Sequence, residues 1–295
     1  MDCKRSSLPM PAPDAEDGPN LAPRLSIDPK RLRILLVEDN KTNRLVATKL
    51  LAGLSCGADI AKNGVEAVEA CSAVAYDVVF MDVMMPEMDG LTATRAIRQL
   101  TGAHGTPRII ALTANAHNDD RDMCLEAGMD DFVAKPVTRY SLTAALARCE
   151  SQPGVTKPPK RAFETKPAAR AAAFDAAIFG ELAEALGPAD TLLVLEAFRS
   201  DLESQIQTMR EAAKQTDRGP LKRTAHTIKS SAASLGFLEL SDFAKAIERD
   251  AAGLNWPALD ARIDELARAV NDIQLVIQQK LESCAALSQK GMIDA

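Results

Sequence analysis

The stretch Val78-Val79-Phe80-Met81-Asp82-Val83-Met84-Met85-Pro86-Glu87-Met88-Asp89-Gly90 runs through four apolar residues, meets a carboxylate, and then breaks at a proline and a glycine. A short apolar run without alternation, bounded by turn residues, reads as a strand buried on both faces of a parallel sheet. The same pattern occurs at Ile34-Leu35-Leu36-Val37 and Ile109-Ile110-Ala111-Leu112, and more weakly at Ala58–Ala61 and Phe132-Val133-Ala134. Helix-like stretches separate all five runs, giving a βα repeat of about 120 residues. That alternation predicts an α/β domain with a doubly wound, five-stranded parallel sheet.

Around this unit the 295 residues divide by composition. Residues 1–30 hold six prolines and no apolar segment behind Lys4 and Arg5, which predicts a disordered arm and no secretory signal. Residues 31–150 form the α/β domain. Residues 151–172 set Pro153, Pro158, Pro159 and Pro167 among Lys, Arg and Ala, and read as a linker. From 173 to 285 the strand signals stop. Apolar residues recur at helical spacing, as in Leu195, Phe198, Leu202, Ile206, Met209 and again in Ile263, Leu266, Val270, Ile273, Ile277, Leu281. This predicts a separate, all-α antiparallel helical bundle, followed by a C-terminal tail over 286–295.

Composition narrows the function. A hydrophobic fraction of 46% with 26% charged residues is ordinary for a soluble protein, and no apolar run reaches the roughly 20 residues of a membrane span. A net charge of -6 speaks against a nucleic-acid surface spread over the molecule. Cys3, Cys56, Cys71, Cys124, Cys149 and Cys284 stand singly, without a CxxC pair or a neighbouring histidine, and read as thiols in a reducing cytoplasm.

In an open α/β sheet, ligands bind beyond the carboxyl ends of the strands. The first run ends in Glu38-Asp39, the third in Asp82, the fourth in Thr113-Ala114 and the fifth in Lys135-Pro136. Three carboxylates brought together repel one another and suit a hard divalent cation such as Mg²⁺. A carboxylate facing that ion can attack a phosphoryl group, while an ammonium neutralises the transferring oxygens. Asp82 and Lys135 fit those roles, and the Thr113 hydroxyl can donate to a phosphoryl oxygen. Taken alone, Glu38-Asp39 would equally serve as a helix cap.

The segments Leu36-Val37-Glu38-Asp39-Asn40, Met81 to Gly90, Ala111-Leu112-Thr113-Ala114-Asn115-Ala116 and Asp131-Phe132-Val133-Ala134-Lys135-Pro136 resemble the response-regulator receiver family over about residues 32–150. The resemblance implies a flavodoxin-like fold and phosphorylation of Asp82, catalysed by the receiver itself. It implies a metal held by Glu38, Asp39, Asp82 and the main-chain carbonyl of Met84. Thr113 and Phe132 would be the switch pair, and the Lys135-Pro136 bond would be cis. By its pattern alone, Phe132 also reads as plain core. His104, between glycines in a loop, and His117, near a helix start, read as solvated and receive no role.

Residues 221–236 read as one amphipathic helix with apolar positions at 221, 225, 228, 232 and 235. His226 falls roughly 140° from the centre of that stripe and is expected to face outward, with Lys222, Arg223, Lys229 and Ser230 as its helical neighbours and Ala233 one turn on. An imidazole rimmed by cations suits a phosphoryl acceptor that docks an acidic partner, with small residues at 230 and 233 permitting close approach. An exposed histidine on a solvated basic face has the same pattern. The stretch Ala225 to Gly236 resembles the signature of histidine phosphotransfer domains over about residues 175–285. That resemblance implies that His226 carries phosphate, assisted by Lys229. One departure stands out: the family commonly has glycine after the lysine, where this chain has Ser230.

The two resemblances together imply a phosphorelay. A sensor histidine kinase phosphorylates Asp82, and His226 exchanges phosphate with a receiver aspartate, in this chain or in a downstream response regulator. Neither a GxxxxGK[ST] loop nor glycine-rich kinase boxes are present, so the chain relays phosphate without using ATP. Twenty-two linker residues span roughly 25 Å, which permits transfer within one chain. The rival is a binding module, in which the receiver gates an unphosphorylated adaptor or dimerisation bundle.

Overall fold

The computed structural model describes residues 31–114, 118–150 and 174–293. The expected arm, the linker, Cys3 and His117 lie outside the described residues. The first unit runs β1 (Ile34–Val37), α1 (Lys41–Gly53), β2 (Ala58–Ala61), α2 (Gly64–Ala73), β3 (Val78–Asp82), α3 (Gly90–Arg98), β4 (Arg108–Thr113), α4 (Asn118–Ala127), β5 (Asp131–Ala134) and α5 (Arg139–Glu150). The five strands are all parallel, in the order β2-β1-β3-β4-β5. β1 and β3 are buried at every position because both neighbours and both faces are covered, which is why their sequences are unbroken apolar runs. The order reverses at β1, and the crevice beside it is where such sheets bind ligands.

Local chemistry shapes the crevice. Asn40 caps α1 by accepting the Asn43 backbone N–H at 3.0 Å, so only three residues separate β1 from the helix. Asp89 caps α3 in the same way, accepting from Thr92 N at 2.7 Å. Gly90 is required beside it, because a Cβ there would collide with the main-chain carbonyl of Asp82.

The second unit is helical: α6 (Ala176–Leu186), α7 (Pro188–Lys214), α8 (Arg218–Ser234), α9 (Leu238–Asp250) and α10 (Trp256–Ile293). Every apolar position picked out for α7, α8 and α10 is buried. Phe237 sits fully buried at the base, stacked on Phe198 with ring centroids 5.4 Å apart. α10 continues to Ile293, so the tail expected from residue 286 begins as helix.

The two units pack on each other. α1 packs against α6, α7 and α8, and one apolar cluster extends from Val46, Ala47 and Leu50 to Val194, Phe198 and Leu202. Among the described residues, no helix is long and apolar enough to cross a membrane.

Candidate functional site

Glu38, Asp39 and Asp82 converge at the ends of β1 and β3, with ligand atoms within 4.8 Å of one another. Lys135, just beyond β5, places Nζ 2.7 Å from Glu38 Oε2 and 2.7 Å from Asp82 Oδ2. The second oxygen of Glu38 accepts from Asn43 Nδ2 at 3.2 Å, and Oδ1 of Asp82 accepts a long 3.3 Å bond from Met84 N. The Lys135-Pro136 peptide is cis. Thr113, at the end of β4, is buried. Phe132 is half-buried, packs against the apolar layer on the far side of the sheet, and carries the Arg121 guanidinium 5.4 Å from its ring centroid.

The cluster contains more negative charge than its lysine can neutralise. Burial, reinforced by Glu38, pushes Asp39 up to about 6 against the opposing effect of Lys135. Burial raises Asp82 well above the usual carboxylate range, Glu38 adds to this, and Lys135 only partly compensates. Burial alone would lower Lys135, but Asp82 and Glu38 outweigh it and hold the ammonium charged. Glu38, Asp39 and Asp82 in this desolvated crevice could supply oxygen ligands to a hard divalent cation, while the Lys135 ammonium offsets part of their charge.

The second site departs from expectation. His226 is only 8% exposed, not facing solvent. Its Nδ1 lies 2.7 Å from Glu248 Oε1 on α9, and the other Glu248 oxygen lies 2.5 Å from Lys229 Nζ. Burial raises the Glu248 pKa, but hydrogen bonds from His226 and Lys229 outweigh it and lower the pKa to about 2. The carboxylate is therefore ionised and can only accept, so the Nδ1 that faces it is the donor of this hydrogen bond. With Nδ1 protonated, the 3.4 Å approach of Lys229 Nζ is proximity and not a second hydrogen bond. Of the cationic neighbours expected from the sequence, Lys229 places Nζ 3.4 Å from the ring. Lys222 and Arg223 are exposed, Lys229 is turned to Glu248, Ser230 is buried and Ala233 half-buried. The 100° periodicity places side chains around their own helix only, whereas Glu248 reaches the ring from α9.

Glu248 was not identified from the sequence. A signal existed: it lies four residues after buried Ala244 and beside buried Ile247, so a carboxylate at a core-facing register requires a partner. His104 is also not simply solvated, since its Nδ1 sits 2.9 Å from the Cys71 carbonyl.

The Glu248 shift has a measurable consequence. A carboxyl lowered from 4.5 to about 2 contributes stability that is complete above pH 4.5 and lost as pH falls towards 2. Acid denaturation should therefore remove about 2 kcal/mol more from the wild-type protein than from Glu248→Gln over that window. Parallel acid profiles would show that the pairing carries no energy.

Comparison with known proteins gives the same division. Residues 34–147 match the family model for the response regulator receiver domain, and residues 193–275 match the Hpt domain. A hybrid signal transduction histidine kinase B of Dictyostelium discoideum is 46% identical over 115 residues, covering 36% of this chain. Sensor histidine kinase GacS of Pseudomonas protegens is 35% identical over 144 residues, covering 48% of it. The chain spans only 6% and 16% of those two proteins. Among solved structures, the receiver domain of sensor histidine kinase PA1611 from Pseudomonas aeruginosa is 41% identical. It covers 41% of this chain and 98% of its own, with a TM-score of 0.38, and is described with a magnesium ion coordinated in its active site cleft. The co-crystal of Saccharomyces cerevisiae Ypd1 with the receiver domain of Ssk1 matches at 28% identity, with a TM-score of 0.37. That match covers 39% of this chain and 86% of that one.

Proposed function

The chain belongs to the two-component signalling families, a response regulator receiver domain joined to an Hpt domain, and on that premise we propose that it relays phosphoryl groups between Asp82 and His226. The observation that carries the receiver half is the buried Asp82, sharing Lys135 with Glu38 at the sheet's switch point. Glu38, Asp39 and Asp82, with the main-chain carbonyl of Met84, would hold Mg²⁺, which when bound supplies the charge neutralisation that one lysine cannot. Lys135 holds Asp82 in one orientation and offsets charge on the transferring oxygens. Thr113 donates to a phosphoryl oxygen, and Thr113 with Phe132 forms the switch pair.

In the Hpt half, Glu248 fixes the tautomer of His226, so that Nε2 is the nucleophile while Nδ1 keeps its proton. The phosphoryl donor to Asp82 is a sensor histidine kinase, and a downstream response regulator is a further partner. The setting is the cytoplasm, a reading supported by the free thiols of Cys56, Cys71, Cys124, Cys149 and Cys284.

The test is removal of the ion. The full chain incubated with acetyl phosphate and Mg²⁺ is expected to gain label, and excess EDTA is expected to reduce that gain at least tenfold, because the uncompensated acids repel the donor. Undiminished labelling in EDTA would contradict the receiver reading.

A further inference from the structure

The receiver is seated on the Hpt bundle through the N-cap and first three turns of α1. Asn40 Nδ2 donates to the Thr227 carbonyl at 3.3 Å, and Asn43 Nδ2 donates to Ser230 Oγ at 3.0 Å. Thr42 Oγ1 donates to Asp201 on α7 at 2.9 Å, and Lys49 pairs with Asp190 at 2.7 Å. The first two contacts are informative by position. Asn40 follows Asp39, and Asn43 also bonds Glu38, so both belong to the rim of the acidic cluster. Thr227 follows His226, and Ser230 lies one helical turn beyond it. An unbroken series of polar contacts therefore runs from Asp82 through Lys135, Glu38 and Asn43 to Ser230.

We propose that this chain's own receiver is the resident phosphoryl partner of His226, and that the Asn43–Ser230 hydrogen bond is the contact that selects it. The proposal rests on the relay reading and deepens it. Ser230 stands where the resembling family commonly has glycine, and a glycine offers no side-chain acceptor. Here Ser230 is 4% exposed and its hydroxyl accepts from Asn43. A receiver without a donor at that position leaves a buried hydroxyl unpaired, which disfavours it by roughly tenfold to a hundredfold. The tether adds to the preference by making the encounter intramolecular. In the transfer, Nε2 of His226 forms a bond to phosphorus as the P–O bond to Asp82 breaks. The electron pair returns to the Asp82 carboxylate, and the Nδ1 proton stays against Glu248.

The experiment uses full-length chains. Phosphohistidine formation in the wild-type chain, started with acetyl phosphate and Mg²⁺, should follow a rate constant unchanged over a hundredfold range of protein concentration. Transfer between chains is read by mixing phosphorylated His226→Gln donor with Asp82→Asn acceptor. It should scale with concentration and be at least tenfold slower at micromolar protein. Asn43→Ala should act with opposite signs in that mixture. On the acceptor it loosens the resident receiver and speeds transfer between chains, and on the donor it weakens docking and slows it. Ser230→Ala in the otherwise wild-type chain should slow intrachain transfer about tenfold, which supplies a second route should Asn43→Ala fail to fold. A wild-type rate proportional to concentration, or equal effects of Asn43→Ala on both sides, overturns the proposal and leaves the relay standing. Absence of phosphohistidine in every pairing overturns both.

Discussion

Asp82→Asn is expected to reduce labelling of the full chain by acetyl phosphate and Mg²⁺ to background, at Asp82 and at His226 alike. The amide has the shape of the carboxylate without its nucleophilic oxygen. Because His226 receives phosphate through an aspartyl phosphate in this account, its label should vanish as well. The fold should survive. Asp82 is buried and held far above the usual carboxylate range by burial and by Glu38, so neutralising it relieves repulsion, while Lys135 retains Glu38. Thermal unfolding at neutral pH should show a midpoint no lower than that of the wild type. Loss of label with an unchanged midpoint separates missing chemistry from a missing fold, and undiminished label would remove Asp82 from the mechanism.

The α/β half was legible almost throughout, for a reason visible in β1 and β3. Strands buried on both faces must be continuous apolar runs, and the chemistry lies where those runs stop, so Glu38, Asp39, Asp82, Thr113 and Lys135 could be placed in one crevice without coordinates. The helical half was legible only along each helix. Periodicity identified the buried faces of α7, α8 and α10, but gave no account of which helix lies over His226. Glu248, 22 residues away on α9, acts across the fold on His226, which is 8% exposed where an outward-facing side chain was expected. The docking contacts of Asn40, Thr42, Asn43 and Lys49 carried no sequence signal. Polar residues in the first turns of a helix fit a cap or a solvated face equally well.

His226→Gln is expected to abolish the acid-labile, alkali-stable label of a phosphohistidine while raising the alkali-labile aspartyl phosphate, since phosphate arriving at Asp82 no longer has an onward acceptor in the chain. Glutamine has no nucleophilic ring nitrogen at that position. The substitution should also cost about 1 kcal/mol of stability, more than an exposed site would, because the Nδ1 bond to Glu248 is lost in a nearly buried setting. Its unfolding midpoint in denaturant should fall accordingly without loss of helical circular dichroism. An alkali-stable label persisting on the His226→Gln chain would place the acceptor elsewhere.

The central claim, that phosphate moves from Asp82 to His226, is tested most directly by a time course on the wild-type chain. After a brief pulse of labelled acetyl phosphate with Mg²⁺, samples are split between acid and alkali before counting. The account predicts that alkali-labile label appears first and then declines as alkali-stable, acid-labile label rises in its place. If the alkali-stable label never appears, whether the phosphoryl donor is this chain's receiver or another, His226 does not carry phosphate and the helical half is a receiver-gated binding module.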